Sequence, residues 1–141
     1  MKLITVLCAG FKTFEKETYI GPLDSSFSAI VGPNGIGKTV IADAVRFTLT
    51  SSVAISNMRV KRTAEAVNHT LVSSQGSAAC CITEVGLSIQ SSERQPTERV
   101  YLAVRKRARA SGECNYYAAK LDHLPTSDTW TATMLTPMRL V

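Results

Sequence analysis

Apolar residues recur along the chain with two different periods, and the switch between them marks its organisation. Residues 2–9 alternate weakly and are rich in Leu, Ile, Val and Cys, which predicts a first strand. A basic-aromatic segment follows, Gly10, Phe11, Lys12, Thr13 and Phe14. Residues 17–20 predict a second strand ended by Gly21 and Pro22, and 27–31 predict a third. From Lys38 the period becomes helical: Ile41, Ala44, Val45, Thr48 and Leu49 share one face, widened by Val40 and Phe47, and Thr39, Asp43, Arg46 and Thr50 form a narrow polar stripe. A helix this apolar expects cover on most sides.

Residues 51–77 read as a polar, basic connection containing Arg59, Lys61 and Arg62, with a short helix over 63–72. Alternation returns at Ala79. Cys81, Thr83, Val85, Leu87 and Ile89 share one face, and Glu84, Ser88 and Gln90 the other. Residues 91–97 read as a loop and 99–107 as the next strand, with Val100, Leu102 and Val104 opposite Tyr101, Ala103, Arg105 and Arg107. A tight connection at Ser111, Gly112 and Glu113 leads into 114–118, completing an antiparallel meander. Beyond Pro125 the chain is Thr-rich, without cap, repeat or period. The pattern therefore separates a patterned segment over 1–124 from a C-terminal tail over 125–141.

The third strand and the helix enclose Gly32, Pro33, Asn34, Gly35, Ile36, Gly37, Lys38 and Thr39, the spacing of a phosphate-binding loop. Glycines let successive backbone N–H groups turn inward onto phosphate oxygens, and the helix start adds the positive end of its dipole. Lys38 is placed to reach the β- and γ-phosphates, and the Thr39 hydroxyl to ligate the magnesium ion bridging them.

At 141 residues the chain is one domain or part of one, and 45% hydrophobic against 19% charged residues excludes a disordered polar chain. Sixteen Lys and Arg against 11 Asp and Glu give a net charge of +5, which suits a polyanionic partner. Six basic residues, Arg94, Arg99, Arg105, Lys106, Arg107 and Arg109, accompany a single acid, Glu98, along one hairpin. On its outer face they would form a stripe for a DNA backbone, or equally a charged edge that resists aggregation. Cys8, Cys80, Cys81 and Cys114 include no C-x-x-C pair, and adjacent Cys80 and Cys81 point to opposite faces of a strand, so reduced thiols are expected. The apolar start runs unbroken into Phe11 and reads as a strand rather than a secretory leader. No run is long enough to span a membrane.

These residues together resemble the N-terminal end of structural maintenance of chromosomes (SMC) proteins. Four stretches carry the resemblance: Gly10 with Phe11, Lys12, Thr13 and Phe14; 29–39 through the loop; 43–49 on the helix; and Gly112, Glu113, Cys114, Asn115, Tyr116 and Tyr117 on the meander. In that family the two ends of a very long chain, separated by a coiled coil and hinge, form one ABC-type ATPase head. The implied fold is therefore α/β: a P-loop NTPase head lobe with an antiparallel β-meander and a mixed sheet around the loop helix, as an incomplete half-domain. The implied cofactors are ATP and Mg2+, bound by residues 32–40 including Val40, with Lys38 in the catalytic role and Thr39 on the metal. The resemblance also places Lys12 near the nucleotide and Arg59 near the γ-phosphate or DNA. It implies as partners the C-terminal half of a head or a second head. The implied setting is chromosome organisation, cohesion or repair, in the nucleus of a eukaryote or the nucleoid of a bacterium.

Ile36, Val40 and Thr50 depart from the family pattern, which has a small residue, Asn and Gly there. The Walker B carboxylates, signature motif and switch histidine belong to the family's C-terminal half, and no stretch here supplies paired acids at a strand end. Half a site is expected to bind ATP weakly, to hydrolyse it hardly at all alone, and to be poorly soluble. Two other readings fit the loop: a RecF-like recombination ATPase fragment, and a short non-catalytic product that binds DNA or a partner head.

Overall fold

A sheet whose strands run β2-β1-β3-β4-β5-β6 carries one helix on its face, in a computed structural model that describes residues 1–24, 26–33, 37–49, 65–90, 99–124 and 136–138. The strands are β1 (Lys2–Ala9), β2 (Thr18–Ile20), β3 (Cys80–Gln90), β4 (Arg99–Arg109), β5 (Cys114–Leu121) and β6 (Thr136–Met138). Every neighbouring pair is antiparallel. The helices are α1 (Lys38–Leu49) and α2 (His69–Gln75), the second running into a 3-10 turn, Gly76–Ala78. No helix among the described residues is long and apolar enough to cross a membrane.

Alternation along the strands sorts the side chains as their pattern predicts. Val6 and Cys8 of β1 stand opposite Val85 and Thr83 of β3, and Cys81 stands opposite Ala108 of β4. With Phe11, Ala44 and Phe47, the residues Val6, Cys8, Cys81 and Ala108 make the core between sheet and α1. Phe11 and Phe47 are fully buried, their ring centroids 5.3 Å apart. Deleting either ring would cost about 3–5 kcal/mol. On the far face, Tyr101, Ala103, Tyr117, Ala119 and Leu121 form a smaller cluster.

The third strand expected over 27–31 does not form: residues 26–33 carry no strand, and Phe27 and Val31 are 79% and 84% exposed. A strand exists only with a hydrogen-bonded neighbour, and the described residues offer this segment none. The mixed sheet expected around the helix is accordingly not formed among them, and α1 rests on the meander itself. Of the short helix expected over 63–72, residues 63–64 lie outside the described residues; α2 begins at His69, where Asn68 caps it by accepting the N–H of Thr70 and of Leu71. The tail holds a strand that no period revealed: β6 pairs with Tyr116, Tyr117 and Ala118 at the sheet edge, where Pro137 is tolerated. The loop expected over 91–97 lies outside the described residues.

The basic stripe is also corrected. Arg105 and Lys106 are consecutive, so they face opposite sides of β4. Arg105 pairs with Glu84, its cross-strand neighbour, whose side chain is fully buried. Lys106 is fully buried under α1, its Nζ 3.8 Å from the Phe47 ring centroid and 5.2 Å from that of Tyr116. Burial pushes the titration of both cations down. Arg107 is exposed, and Arg109 meets Glu113 at 3.7 Å. Arg94 and the Arg99 side chain lie outside the described residues.

Candidate nucleotide-binding site

The site is built where three pieces of chain meet at the start of α1. Gly37 adopts φ +99°, a conformation that glycine enters at no steric cost, and its carbonyl accepts the N–H of Val40 at 3.1 Å and of Ile41 at 3.3 Å. Helix geometry leaves the N–H groups of Lys38 and Thr39 without an intrahelical acceptor. Lys38 folds its side chain back over the loop, Nζ donating to the Gly32 carbonyl at 2.5 Å. Thr39 is exposed and Val40 packs against the core. The structure thus brings together Gly32, Gly37, Lys38 and Thr39, with Pro33 exposed beside them. Asn34, Gly35, Ile36 and Arg59 lie outside the described residues.

The wall of this loop is the turn after β1. A methyl group added to Gly37 would stand 3.5 Å from Thr13 Oγ1 and 3.5 Å from Phe14 Cζ. The turn is closed by Phe14 N donating to the Phe11 carbonyl at 2.9 Å, and it is zipped to the chain before α2 by a bridge between Phe11 and Val67. Gly10 is required here: at φ +63°, any β-carbon would meet the Cys80 carbonyl oxygen and Leu71 Cδ1 at 2.8 Å.

Lys12, expected near the nucleotide, lies in this wall. Its Nζ is 2.6 Å from Asp43 Oδ2, on α1 one turn beyond Thr39. Its backbone N–H donates to the Ala66 carbonyl at 2.8 Å, and its carbonyl accepts Asn68 Nδ2 at 2.7 Å. Asp43 was expected on the polar stripe of the helix but is 7% exposed, because Lys12 supplies the partner that lets a carboxylate be buried. Sequence reasoning missed Asp43, Asn68 and Thr13 as parts of the site. The one usable signal was Asn68 immediately before a helix, the preferred N-cap residue.

The residues present fit a bound nucleotide with magnesium: a lysine and a hydroxyl at a helix start, two backbone N–H groups that the helix itself does not engage, and a glycine held at positive φ.

Comparison with known proteins supplies the lineage. The family described as RecF/RecN/SMC N terminal domain matches residues 2–129. Chromosome partition protein Smc of Pyrococcus furiosus is 27% identical over 131 residues, 91% of this chain and 11% of that protein. Structural maintenance of chromosomes protein 2 of Schizosaccharomyces pombe is 34% identical over 96 residues, 68% of this chain and 8% of that protein. The chain thus spans about a tenth or less of the length of these relatives. Among solved structures, an SMC head bound to the C-winged helix domain of ScpA superposes with a TM-score of 0.63 at 21% identity, over 84% of this chain and 36% of that one. A second, from work on ATP-driven dimerization and DNA-stimulated activation of SMC ATPases, gives 0.62 at 20% identity, over 84% and 69%. At these identities the structures speak for the fold alone. That fold, an α/β head segment with an antiparallel sheet under the loop helix, agrees with the match along the sequence, and the chain belongs to the RecF/RecN/SMC N terminal domain family as an N-terminal SMC head segment.

Proposed function

We propose that the chain binds Mg·ATP as the N-terminal half of an SMC-type ATPase head and hydrolyses it only when a C-terminal half completes the site, in the service of chromosome partition. The observation that carries this is the placement of Lys38 at the first position of α1 with Nζ turned across the loop onto Gly32, beside the exposed hydroxyl of Thr39. Gly32, Pro33, Gly37, Lys38, Thr39 and Val40 would hold the phosphates together with Asn34, Gly35 and Ile36, and Thr39 would hold the magnesium. When bound there, magnesium would supply positive charge to the phosphates. Lys38 would stabilise negative charge on the phosphate oxygens, and Thr13 and Phe14 stand beside Gly37 at the edge of the loop.

Two features favour a half rather than a whole. The described residues present no apolar strand ending in paired acids, and the surface beside the loop awaits cover. Phe27, Ile30 and Val31 are exposed, and Ile30 also lines an apolar cavity of about 320 Å3 with Leu3, Val6, Ile20, Leu23 and Ile41. The family's C-terminal head half is the cover this reading assigns. DNA contact through the hairpin rests on Arg107 and Arg109 alone among the described side chains, because Arg105 and Lys106 are turned inward.

Equilibrium dialysis of the 141-residue chain with ATP tests the binding step. Retention that needs magnesium, and that falls at least about tenfold in Lys38→Ala, is expected. Equal retention by the wild-type chain and Lys38→Ala would overturn the proposal. Binding without hydrolysis in any mixture with a C-terminal head segment would favour a non-catalytic interaction product.

A further inference from the structure

Lys12 is the one residue other than glycine given a positive φ among the described residues, at +48°. That conformation is disfavoured for any side-chain-bearing residue and persists only where its surroundings over-determine it. Here they do. The Lys12 N–H donates to Ala66, its carbonyl accepts Asn68 Nδ2, and on either side Asn68 N donates to the Gly10 carbonyl at 2.7 Å and Phe14 N to that of Phe11. Asn68 works with every polar group it has, since its Oδ1 caps α2 while its Nδ2 and N–H hold the turn.

The far end of Lys12 is held as firmly. Asp43 is a poor helix former in the middle of an apolar helix, and burying its carboxylate has a cost that only a partner offsets. Side chains on a helix lean toward its N-terminus, so Asp43 reaches back over the turn that begins with Thr39, and the Lys12 ammonium it holds lies on that side of α1. Arg46 Nη1 stands 4.0 Å from the other oxygen, Oδ1, while Lys12 Nζ meets Oδ2 at 2.6 Å. An ammonium carries three donors, of which this contact uses one. The next two residues, Thr13 and Phe14, line Gly37.

We propose that Asp43 is a positioning residue of the nucleotide site, holding the Lys12 ammonium beside the phosphate loop while Asn68 fixes the Lys12 backbone. The inference rests on the nucleotide-binding reading above and deepens it. A free lysine loses the rotamer freedom of a long side chain when it meets a phosphate; one already pinned to Asp43 has lost it on folding.

The test is fluorescence titration of the full chain with mant-ATP and magnesium, with thermal melting of each variant alongside. Asp43→Asn, which keeps the shape and removes the charge, is expected to weaken binding about three- to tenfold, the fold-change that corresponds to freeing one long side chain. Lys12→Met is expected to weaken it at least as much. In the Lys12→Met background, Asp43→Asn is expected to change the affinity by less than about twofold, because Asp43 acts only through Lys12. Asp43→Glu keeps the charge and shifts it by one methylene, so it should fall between wild type and Asp43→Asn, and it serves if the neutral variant does not fold. Wild-type affinity in both Asp43 variants would overturn the inference, as would an equal loss with and without Lys12. If Lys38→Ala abolishes binding while Asp43→Asn does not weaken it, the inference alone fails. If the wild-type chain does not bind mant-ATP, or Lys38→Ala leaves binding intact, the nucleotide reading fails and takes the inference with it.

Discussion

Lys106 and Arg105 sit side by side in the sequence and solve the burial of a cation in different ways. Arg105 meets a fully buried carboxylate, Glu84, on the far face of the sheet. Removing it by Arg105→Ala strands that carboxylate and is expected to cost about 3–5 kcal/mol in urea denaturation. Lys106 lies against the rings of Phe47 and Tyr116 beneath α1. Ring faces compensate a buried ammonium only in part, at about 2 kcal/mol when desolvated. Lys106→Met keeps the volume and removes the charge, so it is expected to leave stability unchanged or raise it by about 1 kcal/mol. A loss of several kcal/mol in Lys106→Met would show that the charge itself organises the core. Strand alternation in the sequence sets Lys106 on the face of Leu102 and Val104, apart from Arg105 and Arg107, but only the position of α1 decides that this face is covered. Nothing in the sequence separates Arg105, with its buried partner, from Arg107, which is exposed on the same face. The pairing of Lys12 with Asp43 was equally hidden, since it joins residues 31 apart through a turn.

Among the elements, β1, β3, β4 and β5 were legible because a period of two is local, and their partners lie within the same chain. The helix α1 was legible for the corresponding reason, and its first residues fixed the phosphate loop. Residues 27–31 have the composition of a strand and form none, because strand structure is a property of a pair. The edge strand β6 was illegible for the opposite reason: its three residues, one of them Pro137, take their conformation from β5. Cys8 on β1 and Cys81 on β3 give this sheet a titration. Burial pushes the Cys8 thiol from 9.0 up to about 11, and burial with the neighbouring Cys80 pushes Cys81 to about 12. Above pH 9.0 the unfolded chain releases these protons and the folded chain keeps them, so the stability they contribute is fully present below that pH and falls as pH rises toward about 11 for Cys8 and about 12 for Cys81. Lys106 acts in the reverse sense, since its folded-state value lies below 10.5 and charging it opposes folding. Melting temperature should therefore decline on the alkaline side, more steeply in Lys106→Met and less steeply in Cys8→Ala/Cys81→Ala. An alkaline limb identical in all three proteins would contradict the assignment.

The whole molecule is a sheet and helix with one finished side. Phe27, Ile30, Val31 and Leu49 are exposed, Ile30 at the rim of the apolar cavity under α1, and the segment that carries the first three of them has no strand neighbour among the described residues. Apolar surface of this kind seeks cover. Sedimentation of the chain alone is expected to show self-association, and addition of a C-terminal SMC head segment to replace it with an equimolar complex. A monomer that melts cooperatively by itself would contradict the half-domain. The most direct test of the central claim is Mg-dependent ATP hydrolysis by the chain alone, by the C-terminal head segment alone, and by their mixture. Activity confined to the mixture, and lost when the chain carries Lys38→Ala, is the predicted result. Robust hydrolysis by the 141-residue chain alone would contradict it.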